Sequence, residues 1–264
     1  MHHTWQQTWQ QHPSWGRGPA LELENAGRAC DRLVVVSAHP DDESLGVGGL
    51  IATAHRAGLS VYVVLLTAGE SSHPPRQDMS RHSLATLRLG ELDRAVEHLA
   101  PGAPVVFLGA PDTGVTTVER EVVTALTEIV GDGSRTLLVA PWREDGHPDH
   151  EAAGRAAAEV AEATGARLVE YPLLMWRHVE PADAPWERMS VLALDADVVE
   201  AKREAIRCHA SQVRPRDLGD GDAEASVGPA SLALFEACVE HVLVAPQSES
   251  DDSADPRLEP AGAS

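Results

Sequence analysis

Arg32-Leu-Val-Val-Val-Ser-Ala-His39-Pro-Asp41-Asp42-Glu43-Ser-Leu-Gly46-Val-Gly48-Gly49 is the stretch that decides the fold. Its first part, Arg32–Ala38, is a continuous β-branched run with no polar face. Such a run suits a strand covered on both sides, as in a parallel sheet. The strand ends in one imidazole and three carboxylates within residues 39–43. Glycines then follow at 46, 48 and 49, where a helix is set to open.

Working outward, the same alternation repeats. Further buried-strand runs are Ser60–Thr67, Pro104–Leu108, Arg135–Ala140, Arg167–Leu173 and Arg188–Leu194. Segments with helical spacing lie between them: Leu50–Ala57, Ser80–Leu99, Val118–Val130 and Glu151–Ala163. Asp195 reads as the N-cap of a further helix over Val198–His209, and Ser231–Val244 as a helix running into a short strand. Strand–helix alternation of this length predicts an α/β fold, Rossmann-like, with three α/β/α layers and a mostly parallel sheet.

Three segments are expected. Residues 1–30 form a Trp-rich arm, 31–245 the α/β domain, and 246–264 an acidic disordered tail with five acids and one Arg. Three of the six tryptophans, Trp5, Trp9 and Trp15, sit in the arm. Their rings are expected to pack onto the domain or onto a second subunit in a homo-oligomer; a lid over a substrate is the sharper alternative. Asp217–Ala225 reads as a loop.

Composition excludes several partners. The 264 residues carry 41 Asp+Glu against 21 Lys+Arg, a net charge of −20. That field repels nucleic-acid backbones and anionic membranes. No apolar run reaches the roughly 20 residues of a spanning helix, and the polar N-terminus has no signal-peptide pattern. Three distant cysteines, Cys30, Cys208 and Cys238, give neither a disulfide framework nor a Cys-x-x-Cys site, and Cys208 and Cys238 are expected in the core. A cytoplasmic protein is expected.

The chemistry lies in two clusters. Carboxylates as close as Asp41, Asp42 and Glu43 repel one another unless a cation joins them. His39 and Asp42, at i and i+3, are placed to face one ion, with Asp41 left as a free carboxylate beside it. The second cluster, Trp142-Arg143-Glu144-Asp145-Gly146-His147-Pro148-Asp149-His150, follows the fourth strand and leads into a helix. His150 lies 108 residues after Asp42 (150 − 42), so a shared site is the work of the fold. His39, Asp42 and His150 would leave positions open on the ion, as a catalytic site requires. Alone, each cluster reads as a solvated turn or a capped helix start. Together, each after a buried strand, they indicate a metal site. The other histidines, His209 and His241 among them, show no useful spacing, and most are expected at the surface.

Val34–Ala52 (VVVSAHPDDESLGVGGLIA), then VVLLTAGE, then HPDH opening a helix, resembles the PIG-L/LmbE-like zinc-dependent N-acetylglucosaminyl deacetylases. Arg88-x-x-Glu91 and Lys202…Ala205…Ser211-Gln212 extend the similarity over roughly residues 31–212. The resemblance implies a Zn2+ amidohydrolase. His39, Asp42 and His150 would be metal ligands and Asp41 the general base. His147 would stand near the developing oxyanion and stabilise it if protonated, with Asp149 orienting or tuning it. The implied substrate is a small amino-sugar conjugate carrying an N-acetyl or related acyl group. Fe2+ also suits two His and one carboxylate. Two other readings stay open: an amidase for another amide or thiol conjugate, and a non-hydrolytic nucleotide-binding protein using Gly46–Gly49 at a helix N-terminus. Glu70–Arg81, Asp112 and Arg143 are the candidate pocket residues, with surface salt bridges as the plainer role for each Arg.

Overall fold

A computed structural model describes residues 5–73, 79–217, 222–223 and 225–244. The segment expected as an acidic tail, and Arg76, lie outside the described residues. The central sheet has seven strands: β1 (Arg32–Ser37), β2 (Ser60–Leu65), β3 (Val105–Phe107), β4 (Thr136–Pro141), β5 (Arg167–Tyr171), β6 (Met189–Ala193) and β7 (Val239–Val244). Their spatial order is β3-β2-β1-β4-β5-β7-β6. The first five are parallel, and β7 runs antiparallel to both β5 and β6.

The uniform apolarity of β1 has the expected cause. Leu33 and Val35 face one layer, with α2 (Asp42–Arg56), α3 (Arg81–Leu99) and α6 (Ala196–Cys208). Val34 and Val36 face the other, with α4 (Glu119–Val130) and α5 (Pro148–Thr164). Burying both faces removes four consecutive side chains from water, and all four are fully buried. The α/β, three-layer, mostly parallel architecture is therefore observed.

The chain runs from β1 outward to β3, then returns to β4 on the other side of β1. The carboxyl ends of β1 and β4 thus flank the point where strand order reverses, the place where open α/β sheets bind ligands. Both chemical clusters emerge there.

The arm packs along the domain. Its helix α1 (Trp5–Gln11) buries the Trp9 ring in a cluster with Trp142, Trp176 and Met189, and Trp9 Nε1 donates to the Trp176 carbonyl at 2.8 Å. Ala20 then bridges β6 at Val191. Asp217 and Asp222, within the segment expected as a loop, belong to a small antiparallel pair. Cys238 is exposed and is not a core residue, whereas half-buried Cys208 packs against the core and Cys30 is buried in it. Among the described residues, no helix is long and apolar enough to cross a membrane.

Candidate metal centre

The turn after β1 is built under strain. Asp41 caps α2 with φ at 125°, a conformation rarely adopted by a side-chain-bearing residue and worth about 1–3 kcal/mol of strain. Two contacts hold it there. Arg88 on α3 donates to Asp41 Oδ1 at 3.0 Å and to the Pro40 carbonyl. The Asp41 N–H donates to Glu43 Oε2 at 3.1 Å. Glu43 is itself fixed by Ser44 Oγ at 2.6 Å and His209 Nε2 at 3.0 Å. Burial raises the Asp41 carboxyl to about 6, with the Arg88 charge opposing the rise.

The structure brings His39, Asp42, His147 and His150 together. His39 Nδ1 lies 3.2 Å from His150 Nε2 and 3.7 Å from Asp42 Oδ2, and His150 Nε2 lies 3.5 Å from Asp42 Oδ1. Donor atoms of His39, His147 and His150 fall within 4.8 Å of one another. The far nitrogen of each central ring is anchored. His39 Nε2 meets Asp112 Oδ1 and Asp149 Oδ2, both at 3.3 Å. His150 Nδ1 meets Asp145 Oδ2 at 2.7 Å.

These carboxylates are themselves held. Asp149 accepts from the N–H groups of Thr113 and Val115, and Asp112 from that of Ser71. Asp145 accepts from Leu173, Leu174 and Met175 N–H. Their lone pairs are engaged, so they orient the imidazoles, while the inner nitrogens and Asp42 face a common point. Carboxylate-backed histidines are the usual support of metal ligands.

Electrostatics agree with that division. Burial disfavours charge on His39, yet Asp112, Asp149 and Asp42 raise it to about 9. His150 is raised to about 10 against the same burial penalty, by Asp42 and Asp145. Asp42 is held well below the ordinary carboxylate range despite burial, because the two imidazoles face it. A pocket that draws protons this strongly onto its imidazoles favours positive charge, and nitrogen donors with one carboxylate fit a divalent metal ion.

Two expected roles change. The Asp149 carboxylate reaches His39, not His147; on His147 it acts through its charge, which favours the protonated ring, and through its backbone N–H, which donates to Nδ1 at 3.2 Å. His147 is thereby the N-cap of α5. A ring nitrogen that accepts is unprotonated, so the neutral ring carries its proton on Nε2. Burial and the neighbouring His150 and His39 charges lower its pKa, so a protonated His147 is not what this environment favours.

A polar cavity of about 260 Å3 opens in front of the cluster, lined by Asp41, Ser71, Ser72, Arg88, Asp112, Thr113 and His147 among others. Ser71, Ser72 and Asp112 come from the expected pocket set. Arg143 does not belong: it pairs with Glu170 at 2.8 Å. Sequence reasoning missed Asp145, Arg88 and His209 as supports. Asp145 had a usable signal, five residues before His150 in the same cluster. His209 had none, since its partner Glu43 is 166 residues away.

The glycine-rich helix start is already filled. α2 breaks at Val47 and restarts, and the Gly49 and Leu50 N–H groups donate to the Glu240 carboxylate at 2.6 and 2.8 Å. Lys202, the one lysine, neutralises Glu240 at 2.6 Å. An internal carboxylate therefore occupies the position that a nucleotide phosphate would need.

Comparison with known proteins follows the same lines. Residues 34–161 match the family model for PIG-L, GlcNAc-PI de-N-acetylase. A deacetylase of 1D-myo-inositol 2-acetamido-2-deoxy-alpha-D-glucopyranoside from Rhodococcus jostii is 31% identical over 238 residues, 69% of this chain and 82% of that protein. This chain belongs to the PIG-L/LmbE-like deacetylase family. The corresponding Mycobacteroides abscessus enzyme is 29% identical over 81% of this chain and 91% of its own length. Teicoplanin deacetylase shares the fold, with a TM-score of 0.61 at 18% identity over 82% of this chain and the whole of that one. The PIG-L match includes every residue of both clusters.

Proposed function

We propose that this chain is a zinc-dependent N-deacetylase that removes an acetyl or related acyl group from a small glucosamine-containing conjugate. The observation that carries the reading is the pair of carboxylate-backed imidazoles, with inner nitrogens 3.2 Å apart beside Asp42 and Asp41 in the same cavity. The deacetylases of inositol-linked acetamido sugars among its relatives support the amino-sugar class.

His39, Asp42 and His150 would hold the ion. When bound there, a divalent zinc would lower the pKa of water and polarise the amide carbonyl. Asp41, poised near 6 and clamped by Arg88, accepts a proton from the attacking water. It returns that proton to the nitrogen as the C–N bond breaks, giving a carboxylate and a free amine. His147 donates from Nε2 to the carbonyl oxygen as negative charge builds, a contribution often of a few kcal/mol. Ser71, Ser72, Asp112 and Thr113 offer donors and acceptors for sugar hydroxyls at the cavity wall. Three free thiols fit a reducing compartment, and we place the enzyme in the cytoplasm.

The test is a panel of N-acylated glucosamine conjugates incubated with metal-loaded protein, reading primary amine by mass spectrometry. Amine release from at least one N-acetyl conjugate is expected. Silence across the panel would remove the reading.

A further inference from the structure

A second cavity, of about 110 Å3, also borders the metal cluster. Its shared walls with the polar cavity are His150 and Leu174, and Asp42 also lines it. Elsewhere it is formed by Leu45, Leu173, Trp176, Val227 and Phe235, with Arg177, Ser226 and Ser231 completing the lining. Asp145 binds His150 and also the N–H groups of Leu173, Leu174 and Met175, so the chamber wall and the metal-site imidazole are fixed by one carboxylate.

The two cavities are chemically unlike, and so are the two substituents of an amide carbonyl carbon. The nitrogen must lie where Asp41 can protonate it, and Asp41 lines only the polar cavity of the two. The sugar therefore lies on the polar side. The alkyl group leaves the same carbon away from the nitrogen, and the chamber bordered by Asp42 and His150 offers it an apolar place next to the cluster.

We infer that the chamber lined by Leu45, Leu173, Trp176, Val227 and Phe235 is an acyl-chain subsite, and that this chain prefers N-acyl groups longer than acetyl. The inference rests on the deacylase reading above. At about 30 Å3 per water-sized unit, the space holds roughly three or four methylene-sized groups. Each buried methylene is worth about fourfold in kcat/KM.

The experiment uses the metal-loaded full chain and one glucosamine conjugate carrying N-acetyl, N-butyryl, N-hexanoyl or N-octanoyl groups. About fifteenfold higher kcat/KM for butyryl than acetyl is expected, with a fall by octanoyl as the chamber fills. Val227→Phe should lower the butyryl-to-acetyl ratio at least several-fold, and calorimetry on the unaltered protein should show butyrate binding more tightly than acetate. Acetyl turnover with butyryl no better would overturn the subsite and leave the deacylase reading standing. Sensitivity to the apolarity of the aglycone at fixed acetyl would put the chamber on the amine side and overturn it too. No turnover of any acyl conjugate would sink the deacylase reading and the subsite with it.

Discussion

A single side chain's surroundings decide what it does here, and His241 shows this as clearly as Asp41. It sits on β7 inside the tryptophan cluster, its ring 4.5 Å from Trp15, and accepts the Gly16 N–H at 3.0 Å. Burial, then the nearby Lys202 charge, lowers its pKa from 6.5 to about 4. A histidine lowered in the folded state contributes stability that is present above 6.5 and lost as pH falls towards 4. The contribution is on the order of 3 kcal/mol. Urea unfolding at pH 7.5, 5.5 and 4.5 should show His241→Gln losing less stability on acidification than the unaltered chain. Parallel losses would refute the linkage. Nothing in the sequence marks His241, because its neighbours come from residues 15, 16, 176 and 186. The residues of the two clusters were legible for the opposite reason: their chemistry is dense within short segments.

At the scale of elements, helix α5 carries His150 into place, and its seating on β4 depends on Gly154. A Cβ there would lie 2.5 Å from the Pro141 carbonyl oxygen and 2.9 Å from the Arg143 nitrogen. Helix propensity alone favours alanine over glycine by about 1 kcal/mol. Backbone overlap reverses that sign, since overpacking costs typically 1–3 kcal/mol. Gly154→Ala should therefore lower Tm and weaken ion retention on dialysis, because His150 lies one turn earlier on the same helix. A raised Tm with full retention would contradict this seating. Element boundaries were readable wherever both faces are buried, as in β1 and β4. The reading failed at α2, where the helix begins eight residues before the apolar spacing suggests (50 − 42). Asp42, Glu43 and Ser44 look like loop in sequence, but the capping turn at Asp41 and the buried Glu43–His209 pair draw them into the helix.

For the whole molecule, the fold's contribution is to close a gap of 108 residues between Asp42 and His150 (150 − 42). The strand order does this by setting β1 beside β4 at the reversal point. The parallel core and the pairing of the clusters were foreseeable from strand–helix alternation. The orienting carboxylates, the His147 cap and the two cavities depend on loop paths that no periodicity encodes. The net charge of −20 also gains a local meaning, since Asp42, Asp112, Asp145 and Asp149 converge on two imidazoles. The most direct measurement is metal stoichiometry by mass spectrometry on three purified proteins, with amine release recorded for each. One divalent ion per chain is expected in the unaltered protein and in Asp41→Asn, and none in His150→Ala. Amine release should fall by about 10²-fold or more in Asp41→Asn. A metal-free unaltered protein that still hydrolyses the amide, or full turnover by Asp41→Asn, would contradict the metal-and-base site.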